Sequence, residues 1–83
     1  MIEEYLSRAR SIMIGAALKD IVDSCVNIHT AAGKDDDVYA NIFDILTCVM
    51  AITDNLQSSD RSDVAYEEAA KLLDKIVAER EEE

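Results

Sequence analysis

Hydrophobic residues recur at helical spacing along almost the whole chain, which contains no proline and only two glycines. Apolar positions repeating at i, i+3, i+4 and i+7 predict amphipathic helices. A turn-rich β fold would need more turn residues than this chain has. The pattern therefore predicts an all-α protein, and 83 residues are enough for one small domain over residues 1–83.

Three helices are predicted, separated by two polar turns. They cover approximately residues 2–32, 37–57 and 62–80. Gly33 ends the first helix, because glycine readily adopts the left-handed conformation found after helix C-termini. Asp35, Asp36 and Asp37 then supply an N-cap and favourable negative charge for the second helix. Short connections favour antiparallel neighbours, so the expected architecture is a three-helix up-down-up bundle.

Gly15 lies in the middle of the first predicted helix, where it costs about 1 kcal/mol relative to alanine. Either the helix kinks or breaks at this glycine, or Gly15, Ala16 and Ala17 allow another helix to approach closely. We favour a continuous helix with a close approach, because no proline or capping residue nearby supports a break.

The predicted helices carry more apolar surface than one bundle can cover. An unbroken first helix would be about 45 Å long, against about 30 Å for the third. The apolar side of the first helix follows the spacing of a coiled-coil seam and consists of Ile14, Leu18, Ile21, Cys25 and Ile28. The second helix is apolar over a wide arc. We therefore expect a homodimer, or a groove for a partner, on the first or second helix. The candidate contact residues are Ile14, Leu18, Ile45, Val49 and Ile52.

The chain is strongly acidic, with 8 basic and 18 acidic residues and a net charge of −10. This charge disfavours direct binding to nucleic acids or anionic membranes. An up-down-up bundle gathers many carboxylates at one end, which we call the acidic pole. Its members are Asp35, Asp36, Asp37, Glu79, Glu81, Glu82 and Glu83. The pole is suited to steering a basic protein partner, and the alternative is that these acids only cap helices and maintain solubility.

The lengths of the apolar runs, the charge of the first residues and the two cysteines bear on location and redox state. No apolar run approaches the roughly 18 to 20 residues that span a bilayer. The first residues are acidic, whereas a signal peptide begins with a basic region. We expect a soluble, cytoplasmic protein in which Cys25 and Cys48 are reduced and buried. The alternative for the two cysteines is a disulfide or a two-thiolate metal site. Residues 79–83 are expected to fray, because acids are unfavourable at a helix C-terminus.

No pattern of catalytic or cofactor-binding residues stands out. The two glycines are isolated, so the chain has no glycine-rich phosphate loop. Cys25 and His29 are spaced to face one ion, but no further zinc ligands accompany them. Asp44 and Asp54 do not pair at helical spacing, as the carboxylates of a magnesium site would. A metal-dependent helical-bundle hydrolase is therefore only the third alternative. The expectation is a non-enzymatic protein without a metal or cofactor.

The second half of the chain resembles a helical hairpin found in short proteobacterial and prophage-encoded proteins. The resemblance rests on DILTCVMAIT at 44–53, a polar turn, and VAYEEAAKLLDKIV at 64–77. In size and acidity the chain also resembles small inhibitors that phages make against host machinery, including anti-CRISPR proteins. This resemblance implies a stoichiometric inhibitor or regulator of a basic, nucleic-acid-binding protein in the host cytoplasm. The alternative is a structural or adaptor homodimer.

Overall fold

The computed structural model describes residues 2–81, which form three α-helices. Helix α1 spans Ile2–Ala32, α2 spans Asp36–Asp54 and α3 spans Asp60–Glu81. Each helix packs against both of the others. The predicted all-α three-helix bundle is confirmed, and the predicted helix ends lie within three residues of those observed.

Contacts between the helices define their directions. Gly15 in α1 lies against Ser62 at the start of α3, and His29 near the end of α1 contacts Glu79 near the end of α3. These two helices therefore run parallel. Tyr39, near the start of α2, also contacts Glu79. Helix α2 thus runs antiparallel to both, which is the up-down-up order.

The turn between α1 and α2 has the predicted chemistry. Gly33 has φ +67°, and its backbone N–H donates to the carbonyl of His29 at 3.3 Å. The side chain of Asp35 then accepts hydrogen bonds from the backbone N–H groups of Asp37 and Val38. These bonds satisfy two of the N–H groups that lack partners in the first turn of a helix.

Gly15 is a point of close approach, as predicted, and α1 continues through it without a break. A Cβ atom added to Gly15 would lie 3.1 Å from both the Cβ and the backbone N of Ser62, and 3.2 Å from Ser59 Oγ. Glycine at this position therefore allows the start of α3 to pack directly on the backbone of α1.

The core differs from the predicted seam on α1. Cys25 is buried as expected and Leu18 is buried as well, but Ile14, Ile21 and Ile28 are 42–47% exposed. The buried side of α1 consists of Ser11, Gly15, Leu18, Val22, Cys25 and His29. Small residues occupy its first half because α3 approaches closely there. The predicted seam was therefore wrong at three of its five positions.

Helix α1 extends beyond the other two helices. Residues 2–10 are all exposed, and the first buried residue is Ser11. At 1.5 Å per residue this segment, which we call the α1 arm, is about 13 Å long. It contributes to the elongated shape of the molecule, which measures 54 × 19 × 17 Å.

Candidate protein-binding surfaces

The acidic pole forms where the start of α2 meets the end of α3. Asp35, Asp36 and Asp37 begin α2, and Glu79 and Glu81 lie in the last turn of α3. The antiparallel packing of α2 and α3 brings the two groups together. Glu82 and Glu83 lie outside the described residues.

Two members of the acidic pole have structural tasks. Asp35 caps α2, as described above. Glu79 belongs to a cluster that takes one residue from each helix, the His29–Tyr39–Glu79 cluster. The Tyr39 hydroxyl donates to Glu79 Oε2 at 2.6 Å, and His29 Nε2 lies 3.0 Å from the same oxygen. Asp36, Asp37 and Glu81 remain exposed at the surface of the pole.

The cluster favours the ionised form of Glu79. The hydrogen bond from Tyr39, followed by the one from His29, lowers the pKa of the Glu79 carboxyl below its ordinary value of 4.5. The His29 and Tyr39 rings stack with centroids 5.7 Å apart, and both residues are buried. These contacts connect all three helices at the acidic pole.

Sequence reasoning considered His29 only together with Cys25 and did not find its contacts with Tyr39 and Glu79. Glu79 is 50 residues from His29 and 40 from Tyr39, so no local spacing connects them. The available signal was compositional: His29 is the single histidine of the chain, and it lies close to the end of a helix. Within residues 2–81, no group of three or more His, Cys, Asp or Glu residues is arranged to hold a metal ion.

The predicted dimer or groove residues divide between core and surface. Leu18 and Val49 are buried within the single chain, at 4% and 2% exposure, because their helical positions face the other helices. They are therefore not part of a surface, which corrects their assignment. Ile14, Ile45 and Ile52 are 40–44% exposed and remain available for contacts.

Helical geometry places the exposed isoleucines of α1 on its side away from α3. Lys19 marks the α3 side, because its Nζ lies 3.2 Å from Glu68 Oε2. Ile14, Ile21 and Ile28 each immediately precede a buried residue, whereas Lys19 immediately follows one. At about 100° per residue, these isoleucines lie on the opposite flank of the buried stripe, beside α2.

The same reasoning applies to α2. The side of α2 next to α3 carries Thr53 and Asp54, which line a surface groove together with Ser62 of α3. Ile45 and Ile52 lie on the other flank of the buried stripe of α2, beside α1. The isoleucines of both helices therefore border the same outer groove between α1 and α2.

We call this surface the α1–α2 face, and the positions assigned to it are uncharged. Its α1 positions are Ile14, Ala17, Ile21, Ser24, Ile28 and Ala31, and its α2 positions are Asn41, Ile45, Cys48, Ile52 and Asn55. Cys48 is exposed, so the prediction that both thiols are buried was wrong for this one.

A second apolar area lies next to the acidic pole. Phe43 is 42% exposed and follows Tyr39 by four residues, while Val77 is 43% exposed and precedes Glu79 by two. Both lie within about one helical turn, roughly 6 Å along the axis, of the Tyr39–Glu79 hydrogen bond. Apolar side chains and carboxylates are therefore presented together at this end of the bundle.

Two further findings bear on function. None of the helices described within residues 2–81 is both long and apolar enough to cross a membrane. Comparison of the chain with protein-family models, with curated proteins and with solved structures finds no match. The resemblance to prophage proteins and small phage inhibitors stays a prediction.

Proposed function

We propose that this chain is a non-enzymatic protein-binding module that works in the cytoplasm by covering a basic surface of its partner. The observation that carries the proposal is the composition of the acidic pole: exposed carboxylates from two helices stand beside exposed Phe43 and Val77. A nucleic-acid-binding protein has a basic surface of the matching kind. Occlusion of that surface is the way in which a phage-type inhibitor, such as an anti-CRISPR protein, would act.

Charge and apolar contact have different roles in this mechanism. Complementary charges accelerate encounter and orient the partner, and they are screened by salt. Desolvated aromatic and aliphatic side chains at the centre of the contact then determine how slowly the complex dissociates. The structured pole suits this division, because the His29–Tyr39–Glu79 cluster holds the two helix ends in a defined relation.

The test uses the partner captured from host cells and then purified. We expect the triple variant Asp36→Asn, Asp37→Asn, Glu81→Gln to associate more slowly, by about tenfold at low salt, and to show a weaker salt dependence. We expect Phe43→Ser to speed dissociation without changing the salt dependence. Kinetics measured by surface plasmon resonance at low and high ionic strength separate the two effects.

A matched control removes the same charge at the opposite end of the molecule. Glu3→Gln, Glu4→Gln and Asp60→Asn together should leave the association rate within about twofold of the parent, since their distance from the pole exceeds the Debye length. Equal slowing by both triple variants, or affinity that is independent of salt, would overturn the proposed role of the pole.

A second candidate function is a structural or adaptor homodimer, and the α1–α2 face favours it. In that case, neutralising the acidic pole leaves partner binding unchanged, whereas a glutamate at Ile45 or Ile52 abolishes it. Both isoleucines are exposed, so these variants test a surface rather than the core. Val49 is unsuitable for this experiment because it is buried.

A further inference from the structure

We propose that a second copy of this chain covers the α1–α2 face, with the two α1 helices antiparallel and the twofold axis close to Ala17. This inference concerns a different surface from the acidic pole and does not depend on the proposed partner. It rests on the length, the symmetry and the charge of the exposed stripe on α1.

The exposed stripe runs along the whole of α1. Spacings of three and four residues connect Ile2, Leu6, Ala9, Met13, Ala17, Ile21, Ser24, Ile28 and Ala31. All of them are exposed, and Ile2 and Met13 reach 77% and 71%. Helix α1 has 31 residues and is about 46 Å long. Among the described helices, α1 alone has this length, since α2 has 19 residues and α3 has 22.

The stripe is self-complementary when read in the opposite direction about Ala17. An antiparallel second copy places Met13 against Ile21 and Leu6 against Ile28. The small residues also face each other to within one residue, with Ala9 near Ser24 and Ala17 near its own counterpart. A twofold dimer requires such a pattern, because every contact occurs twice with the two residues exchanged.

Antiparallel pairing also covers the α1 arm. In a single chain the arm has no helix beside it, and Leu6 is 51% exposed. In the pair, the arm of each copy lies along the Ile21–Ile28 segment of the other. Ile45 and Ile52 of α2 border the same groove, so four helices would enclose the contact.

The charge distribution favours this orientation over a parallel one. Each chain has a net charge of −10, so two copies repel each other wherever their carboxylates are close. The α1 arm is balanced, with Glu3 and Glu4 against Arg8 and Arg10. Antiparallel packing places the two acidic poles at opposite ends of the dimer, whereas parallel packing would bring them side by side.

The outline of this side of the molecule sets the upper bound on the contact area. A strip about 46 Å long and as wide as the molecule's 17 Å dimension offers roughly 800 Å² on each copy. A standard interface buries about this much per partner.

Size-exclusion chromatography with light scattering on the purified chain tests the association. We expect twice the chain mass of 9.2 kDa over a wide concentration range. Met13→Glu and Ile21→Glu should give monomers that keep their helical circular dichroism, since both side chains are exposed. Ala78→Glu adds the same charge on the outer side of α3 and should remain dimeric.

Disulfide trapping tests the orientation, with Cys48→Ser as the background. We expect Ala17→Cys to form disulfide-linked dimers on mild oxidation, because the two Cβ atoms lie near the axis. Leu6→Cys alone should not cross-link, but a mixture of Leu6→Cys and Ile28→Cys chains should. A monomeric parent chain, a dimer that persists in Ile21→Glu, or efficient cross-linking of Leu6→Cys to itself would each overturn the proposal. None of these results bears on partner binding at the acidic pole.

Discussion

The Tyr39 hydroxyl donates a 2.6 Å hydrogen bond to Glu79, whose same carboxylate oxygen lies 3.0 Å from His29 Nε2. One carboxylate thus connects α2, α3 and α1. Glu79 is therefore part of the structure of the bundle, whereas Asp36, Asp37 and Glu81 at the same acidic pole are exposed.

Tyr39→Phe is expected to lower the free energy of unfolding by about 1 to 2 kcal/mol, because it removes a hydrogen bond to a charged group while keeping the ring. Urea denaturation followed by circular dichroism measures the change. Tyr66→Phe is the control and should have little effect, since Tyr66 is exposed at 38%. Equal losses in both variants would show that the bond to Glu79 contributes nothing specific.

The contribution of Glu79 should depend on pH. Its pKa is lowered in the folded state by Tyr39 and then His29, with a smaller effect from Lys75, so ionised Glu79 stabilises the fold above the ordinary pKa of 4.5. This stabilisation is lost as the pH falls through the lowered pKa. The difference in unfolding free energy between the parent and Glu79→Gln should therefore shrink as the pH falls below the ordinary pKa of 4.5.

A series of urea titrations from neutral to acidic pH checks this expectation. Glu81→Gln provides the control, because it removes the same charge from the same helix end. Glu81 has no hydrogen bond among the described side-chain contacts. A gap between the parent and Glu79→Gln that widens in acid would contradict the assignment.

Gly15→Ala should destabilise the bundle by about 1 to 2 kcal/mol through overpacking, even though alanine is the better helix former. The reason is steric: the new Cβ would meet the backbone N of Ser62 at 3.1 Å, and backbone does not move aside as a flexible side chain does. Thermal unfolding measures the effect. Asn27→Ala, at an exposed site in the same helix, should be neutral or stabilising, and a stabilised Gly15→Ala would refute the close approach.

Gly33→Ala should be destabilising for a different reason. No atom lies within 4 Å of the Cβ position, but the backbone has φ +67°, which costs a residue with a side chain roughly 1 to 2 kcal/mol. Gly33→Asn should lose less, because asparagine tolerates this conformation. Chemical denaturation of the two variants checks this explanation. Conformational strain predicts a smaller loss of unfolding free energy for Gly33→Asn than for Gly33→Ala, and equal losses would contradict it.

The two thiols should differ in reactivity. Cys25 is 2% exposed and burial raises the pKa of its thiol, so both access and the thiolate fraction are reduced. In a Cys48→Ser variant, the remaining thiol should react with a thiol reagent only as fast as the protein unfolds. In a Cys25→Ala, Ile21→Glu variant, which the proposed second copy no longer covers, exposed Cys48 should react faster. Rapid labelling of native Cys25 would contradict its place in the core.

The predictable part of the fold was local. Helical periodicity, Gly33 and Asp35 located α1, its end and the start of α2, because these signals act over a few residues. The acidic pole followed from chain order alone, since an antiparallel hairpin brings the start of α2 to the end of α3. The candidate contact residues were only partly right, because Leu18 and Val49 are core residues.

What the sequence determined by itself is the set of helices, their order and the excess of apolar surface, since each depends on residue type and spacing. Only the tertiary structure decided which side of α1 faces inward. Hydrophobicity alone predicted that Ile14, Ile21 and Ile28 face inward. In the structure, the side of α1 that contains Gly15 and His29 is buried instead. Two contacts orient α1 in this way: the close packing of α1 against α3 and the hydrogen bond between His29 and Glu79. Both depend on residues distant in the chain, and both leave the isoleucines on the surface.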